Sequence, residues 1–127
     1  MPRKVLLIED NDKNRKLVTI LLRAKGYEII EAITGEEALS CLQTCKPDII
    51  LLDIQLPYMD GLTLAKRIKS QPETKDIPII AVTAYAMKGD KEKMLDSGCD
   101  AYVSKPIDTR SLPLIVASFI EKKGLLP

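Results

Sequence analysis

Residues 46–61 read KPDIILLDIQLPYMDG, a run of four apolar residues, Ile49 to Leu52, that stops on a carboxylate, Asp53. An unbroken apolar run of that length, with Pro47 and Asp48 before it and Pro57 after it, reads as a strand buried on both faces. Asp53 therefore stands at the strand's carboxyl end. In open parallel α/β sheets ligands bind in the crevice outside the carboxyl ends of the strands, which makes Asp53 a site candidate. A helix-cap role fits poorly, because Ile54, Gln55, Leu56 and Pro57 do not begin a helix, and Pro57, Asp60 and Gly61 read as a turn.

Strand and helix signals alternate on either side of this run. Val5 to Ile8 reads as a buried strand stopped by Glu9, Asp10, Asn11 and Asp12. A helix is expected over 13–25, with Leu17, Val18, Leu21 and Leu22 inward and Gly26 as its stop. A short strand over 28–32 precedes Thr34-Gly35-Glu36-Glu37, whose spacing is that of a capping box, and a helix to about Thr44. After Asp53, Leu62, Ala65 and Ile68 mark a third helix. A fourth strand is expected over 77–82, ending on Thr83, with Pro78 near its entrance. Residues 87–96 are charge-rich and weakly periodic, the weakest helix of the set, and Gly98 should end it. Ala101 to Ser104 forms a fifth strand before Lys105-Pro106. Leu112, Ile115, Val116, Phe119 and Ile120 form the apolar stripe of a last helix.

Five strands alternating with five helices call for a doubly wound, flavodoxin-like parallel sheet, with 2-1-3-4-5 the commoner strand order at this size. The 127 residues fit one domain, 1–127 with a core over about 4–122, and leave no room for an output domain. Nineteen basic against eighteen acidic residues, interspersed, give a net charge of +1 and no polybasic footprint for nucleic acid or membrane. No secretory signal or bilayer-length apolar stretch is present, so a soluble, cytoplasmic protein is expected. Cys41, Cys45 and Cys99 read as reduced thiols engaged in packing. With no histidine in the chain, a Ser-His-Asp triad, a His-ligated metal and an internal phosphohistidine are excluded.

In the order 2-1-3-4-5 the switch point lies between strands one and three. Glu9 and Asp10 should then face Asp53, flanked by Thr83 and Lys105. Three converging carboxylates repel one another and call for a proton or a hard cation. Mg²⁺ suits them, since it takes oxygen ligands and needs only one or two carboxylates beside a phosphate oxygen. With Lys105 as a second positive charge, a carboxylate can serve as nucleophile toward a phosphoryl group, and Asp53 is the central candidate.

The Glu9-Asp10-Asn11 cluster, Asp53 in LLDIQLPYMDG, Thr83-Ala84, Tyr102 and Lys105-Pro106 together resemble a bacterial response-regulator receiver domain, over nearly the whole chain. The EDN opening with Asn14, the DIQLP segment and TAYAMKGD look most like stand-alone regulators of the DivK kind, with hybrid-kinase receivers next. The resemblance implies that Asp53 is the phosphoacceptor and that Asp10 and Asp53 ligate Mg²⁺ directly. Gln55 would lend its backbone carbonyl, and Glu9 would act through water. Thr83 and Lys105 would contact the phosphoryl oxygens, Thr83 and Tyr102 would form the switch, and Lys105 would precede a cis proline. The implied partners are a histidine kinase or histidine phosphotransfer protein and a downstream target on the face of helix four, strand five and helix five. The chain itself would be a monomer or weak dimer. A receiver excised from a hybrid histidine kinase or larger regulator would read the same way.

Two other classes of function compete. Aspartyl-nucleophile phosphotransferases resemble D-x-D-x-T, with a second acid two residues on, where this chain has Gln55. A flavodoxin-like nucleotide or flavin binder wants a phosphate-cradling loop after strand one, where Glu9-Asp10-Asn11-Asp12 would repel a phosphate. A non-enzymatic phosphorylation switch is therefore the expected function.

Overall fold

In a computed structural model, whose described residues are 3–84 and 88–125, strands and helices alternate along the chain. The order is β1 (Lys4–Ile8), α1 (Asp12–Arg23), β2 (Glu28–Ala32), α2 (Gly35–Thr44), β3 (Ile49–Asp53), α3 (Gly61–Lys69), β4 (Ile79–Thr83), α4 (Lys88–Asp96), β5 (Ala101–Ser104) and α5 (Ser111–Leu125). All pairings are parallel and the sheet order is β2-β1-β3-β4-β5. Every residue of β3 is buried, as expected of a central strand covered on both faces.

Side chains alternate across the sheet and divide the interior in two. Leu6, Ile8, Ile50, Leu52, Ile79 and Ala81 face Ala38 of α2, Leu64, Ala65 and Ile68 of α3, and Met94 of α4. Val5, Leu7, Ile49, Leu51, Ile80 and Val103 face Val18 and Leu22 of α1 and Leu112, Val116 and Ile120 of α5. Register then fixes the carboxyl edge: Ile8 lies beside Leu52, Asp53 beside Val82, and Thr83 beside Ser104. Glu9, Asp53, Thr83 and Lys105 thus stand at or one residue past the ends of four adjacent strands.

Local chemistry sets the helix starts. Asn11 caps α1 by accepting from the Asn14 N–H at 2.9 Å, and Thr34 caps α2 by accepting from the Glu37 N–H at 3.1 Å. Asp60 caps α3, accepting from the Leu62 N–H, so that helix begins at Gly61.

Several details depart from expectation. Leu17 is 37% exposed and Leu21 only half-buried, because α1 buries a narrow face made of Val18, Thr19 and Leu22. Thr19 is tolerated there because its hydroxyl donates to the Glu31 carboxylate at 2.9 Å. Helix α1 ends at Arg23, and Gly26, at φ 92°, turns the chain toward β2. Ile77 is buried but precedes β4. Pro78, lacking an N–H, joins the sheet edge through its carbonyl, which accepts from Ile50 N at 2.9 Å. Met94 is 1% exposed and fills the core under α4; Met87, the expected first residue of that helix, lies outside the described residues. Cys41 and Cys45 are free and half-buried, and Cys99 is free and buried. No helix among the described residues is long and apolar enough to cross a membrane.

Candidate functional site

The turn after β1 carries the acid pair in two different environments. Glu9, whose N–H donates to Ala32 O at 3.0 Å, turns its side chain inward and is 2% exposed. Asp10 is exposed, between Glu9 and the capping Asn11. Asp53 at the end of β3 is 3% exposed. Its Oδ1 accepts from the Gln55 N–H at 2.9 Å, and its Oδ2 from Lys105 Nζ at 3.0 Å. Oxygens of Glu9, Asp10 and Asp53 all lie within 4.8 Å of one another.

Lys105 reaches this cluster because its N–H donates to Thr83 O at 2.8 Å and extends the β5 pairing by one residue. The ammonium bridges Asp53 at 3.0 Å and Glu9 Oε1 at 3.3 Å. Burial works against its charge, but the contacts with Asp53 and Glu9 outweigh it and hold the lysine above its ordinary pKa. The Lys105-Pro106 peptide bond is cis. Thr83 is buried and accepts from Gln55 Nε2 at 3.3 Å. Tyr102, beside Ala81 in the sheet, is half-buried against the core under α2, α3 and α4, with Lys91 Nζ of α4 5.4 Å from its ring centroid.

Glu9 is pushed up to about 7, first by burial and then by its hydrogen bond to Asp53 and that residue's charge. An acid of ordinary pKa 4.5 when unfolded and about 7 when folded binds more proton in the folded state between those values. Stability in metal-free buffer therefore falls as pH rises through that window, by roughly 3 kcal/mol for this group. Glu9→Gln mimics the protonated form and removes the loss. We expect the two proteins to be nearly equally stable toward urea at pH 5 and the variant to be the more stable at pH 8. Parallel stability curves would show that Glu9 is not held protonated by this environment.

All the residues singled out from sequence gather at one edge: Glu9, Asp10, Asp53, Gln55, Thr83 and Lys105 in the crevice, with Tyr102 one strand away. Three contacts were missed in the sequence. The Gln55 amide donates to Thr83, Lys91 covers Tyr102, and Arg15 of α1 donates to the carbonyl oxygen of Glu9 at 3.1 Å. A basic residue in a first helical turn three after Asp12 is the one hint at the last.

Comparison with known proteins bears on this geometry. Residues 5–117 match the response regulator receiver domain model. The polar-differentiation response regulator DivK of Brucella anthropi is 46% identical over 120 residues, 94% of this chain and 98% of that protein. Its counterpart in Brucella ovis is 45% identical over the same share. Among solved structures, a response regulator of Chloroflexus aurantiacus superimposes with a TM-score of 0.91 at 33% identity, covering 95% of this chain and 99% of that one. The receiver domain of a Pseudomonas aeruginosa sensor histidine kinase, also 33% identical and with the same coverage, gives 0.88 and holds a magnesium ion in its active site cleft.

Proposed function

Because this chain belongs to the response regulator receiver-domain family, we propose that its acid crevice is the working part of a switch in which Asp53 accepts the phosphoryl group. That the chain is a phosphorylation-dependent switch of two-component signalling follows from the family. The observation that carries the assignment of Asp53 is the convergence on it of a backbone N–H at one oxygen and an ammonium at the other.

The donor set suits a hard divalent cation. An octahedral ion with bonds of about 2.1 Å spans oxygens no more than about 4.2 Å apart. With oxygens of Glu9, Asp10 and Asp53 all within 4.8 Å of one another, the cluster is close to that span, and the family resemblance supports direct ligation by Asp10 and Asp53, with the Gln55 carbonyl, and a water bridge to Glu9. Bound there, Mg²⁺ would supply charge neutralisation for the transferring phosphoryl oxygens. Asp53 attacks phosphorus as a carboxylate, an O–P bond forms, and the donor's N–P or O–P bond breaks with the electron pair leaving on the donor. Lys105 follows the charge from carboxylate to phosphoryl oxygen. The protein does not transform a substrate of its own; its reactions are uptake of a phosphoryl group from a phosphodonor and loss of that group by self-hydrolysis. Wild-type protein incubated with Mg²⁺ and acetyl phosphate should gain the mass of one phosphoryl group, removable by alkali. No gain would defeat the proposal.

The two acids of the β1 turn should separate experimentally. Asp10→Asn removes charge at contact distance, Glu9→Gln at a water's remove, so Mg²⁺ affinity should fall further in the first. Equal losses, measured by titration, would reject the division of roles.

The signal leaves through Thr83 and Tyr102. The Thr83 hydroxyl can exchange its Gln55 contact for a phosphoryl oxygen on Asp53, giving Tyr102 room to move inward, with α4 responding. A downstream protein would then bind the face of α4, β5 and α5, and a histidine kinase or phosphotransfer protein would supply the phosphoryl group, in a cytoplasmic setting. Thr83→Ala should still accept phosphate but show a much smaller change in amide exchange over residues 88–102. A wild-type-like response in that variant would rule the route out, as would changes confined to residues 28–44.

A further inference from the structure

Five acidic side chains crowd the carboxyl edge between β2 and β4: Glu9, Asp10, Asp12, Glu31 and Asp53. Two cations divide them. Lys105 takes Glu9 and Asp53. Arg15, whose side chain is 19% exposed, takes Asp12 at 2.5 Å and lies 3.8 Å from Glu31. Among the described residues no donor or cation pairs with the Asp10 carboxylate.

Arg15 also acts on the backbone. One terminal nitrogen donates to Glu9 O at 3.1 Å and, at the limit of a hydrogen bond, to Asp10 O at 3.5 Å. Those carbonyls belong to the two peptide units flanking the Asp10 Cα. Fixing both peptide planes fixes the φ and ψ of Asp10, and so the direction in which its Cβ leaves the chain. The other terminal nitrogen, held by Asp12, anchors the guanidinium to α1, and Glu31, itself bonded to Thr19, closes the far side.

We propose that Arg15 is a positioning residue for the metal-facing carboxylate: it aims Asp10 into the crevice through the two carbonyls and, by drawing Asp12 and Glu31 to itself, leaves Asp10 as the acid that no cation among the described residues holds. The inference rests on the reading of the crevice as a divalent-cation and phosphoryl site. A lysine at this position keeps the charge but not the planar fork that spans two carbonyls and a carboxylate. Mg²⁺ demands near-ideal octahedral geometry, whereas Ca²⁺ accepts six to eight oxygens in flexible arrangements. A misaimed Asp10 therefore costs Mg²⁺ more than Ca²⁺.

The test is calorimetric titration of wild type, Arg15→Lys and Asp12→Asn with MgCl₂ and with CaCl₂ at matched ionic strength, at a temperature where thermal melts show each protein folded. Arg15→Lys should raise the Mg²⁺ Kd by about tenfold or more, the range seen when outer-shell partners are lost, and the Ca²⁺ Kd by less than about threefold. Asp12→Asn should move the ratio in the same direction by less. Loss of stability alone does not change the ratio in folded protein. An unchanged Mg²⁺ to Ca²⁺ ratio in Arg15→Lys overturns the positioning role and leaves the site assignment standing. Absence of Mg²⁺ binding in wild type overturns both.

Discussion

Asp53→Asn takes up no phosphoryl group from acetyl phosphate in Mg²⁺, at least about a hundredfold below wild type, because an amide oxygen is a poor nucleophile toward phosphorus and carries no charge to bind the metal. The fold survives. The amide oxygen can keep the Gln55 N–H bond that Asp53 Oδ1 accepts at 2.9 Å. The amide nitrogen would face Lys105 Nζ, donor against donor, but Lys105 retains Glu9 at 3.3 Å. Loss of one charge-assisted contact, worth about 1.5–3 kcal/mol, is offset by relief of the repulsion between two buried carboxylates. Intact mass and a urea melt measure the two halves of this expectation. Alkali-labile phosphate on the variant at the wild-type rate would move the acceptor elsewhere.

Gly61→Ala should lower stability by about 2–4 kcal/mol. Helix propensity alone predicts the opposite, a gain of about 1 kcal/mol for alanine over glycine. The contacts decide it: a Cβ at Gly61 would lie 2.6 Å from Ile54 Cα, 2.8 Å from Asp53 O and 2.9 Å from Ile54 O. All three are backbone atoms, so no side chain can swing away. The first turn of α3 must retreat, stretching the Gly61 N–H bond to Ile54 O, now 3.1 Å. Overpacking costs about 1–3 kcal/mol and a weakened hydrogen bond about 1 more. The displaced backbone is also the one that carries the proposed acceptor, Asp53, so phosphoryl uptake should fall with stability. A variant as stable as wild type would mean that the close approach is not what requires glycine.

What was legible in the sequence was whatever short-range pattern and burial determine together. The β3 run announced itself because both faces are covered and no polar residue interrupts it. Glu28–Ala32 and Ala101–Ser104 were bounded by turn residues, and the Thr34 cap by its glutamate three residues on. Once the strand order was assumed, the crevice residues followed from counting to the strand ends. Leu17 misled because a leucine counts as inward in any apolar stripe, while Thr19 counts as polar although Glu31 satisfies it. The grip of Arg15 on Glu9 O and the approach of α3 to Ile54 are tertiary contacts with no local signature. The exposed Tyr58, at φ 68°, gave no sign either, since left-handed backbone is a glycine or asparagine habit. The cis bond before Pro106 came from family resemblance alone.

The paired registers make each strand a ruler. β1, β3 and β4 are five residues long and β5 four, and Glu9, Asp53, Thr83 and Lys105 are each the last mark or the first beyond it. One residue inserted inside β3 would exchange the occupants of the two interior layers and send Asp53 to the wrong side of the sheet. The helices carry no such graduation on their outer faces. Leu95 on α4 and Leu114 on α5, both exposed, lie off that ruler, so substitutions there leave the spacing of the crevice unchanged and the outer surface can drift while the chemistry at the strand ends stays fixed.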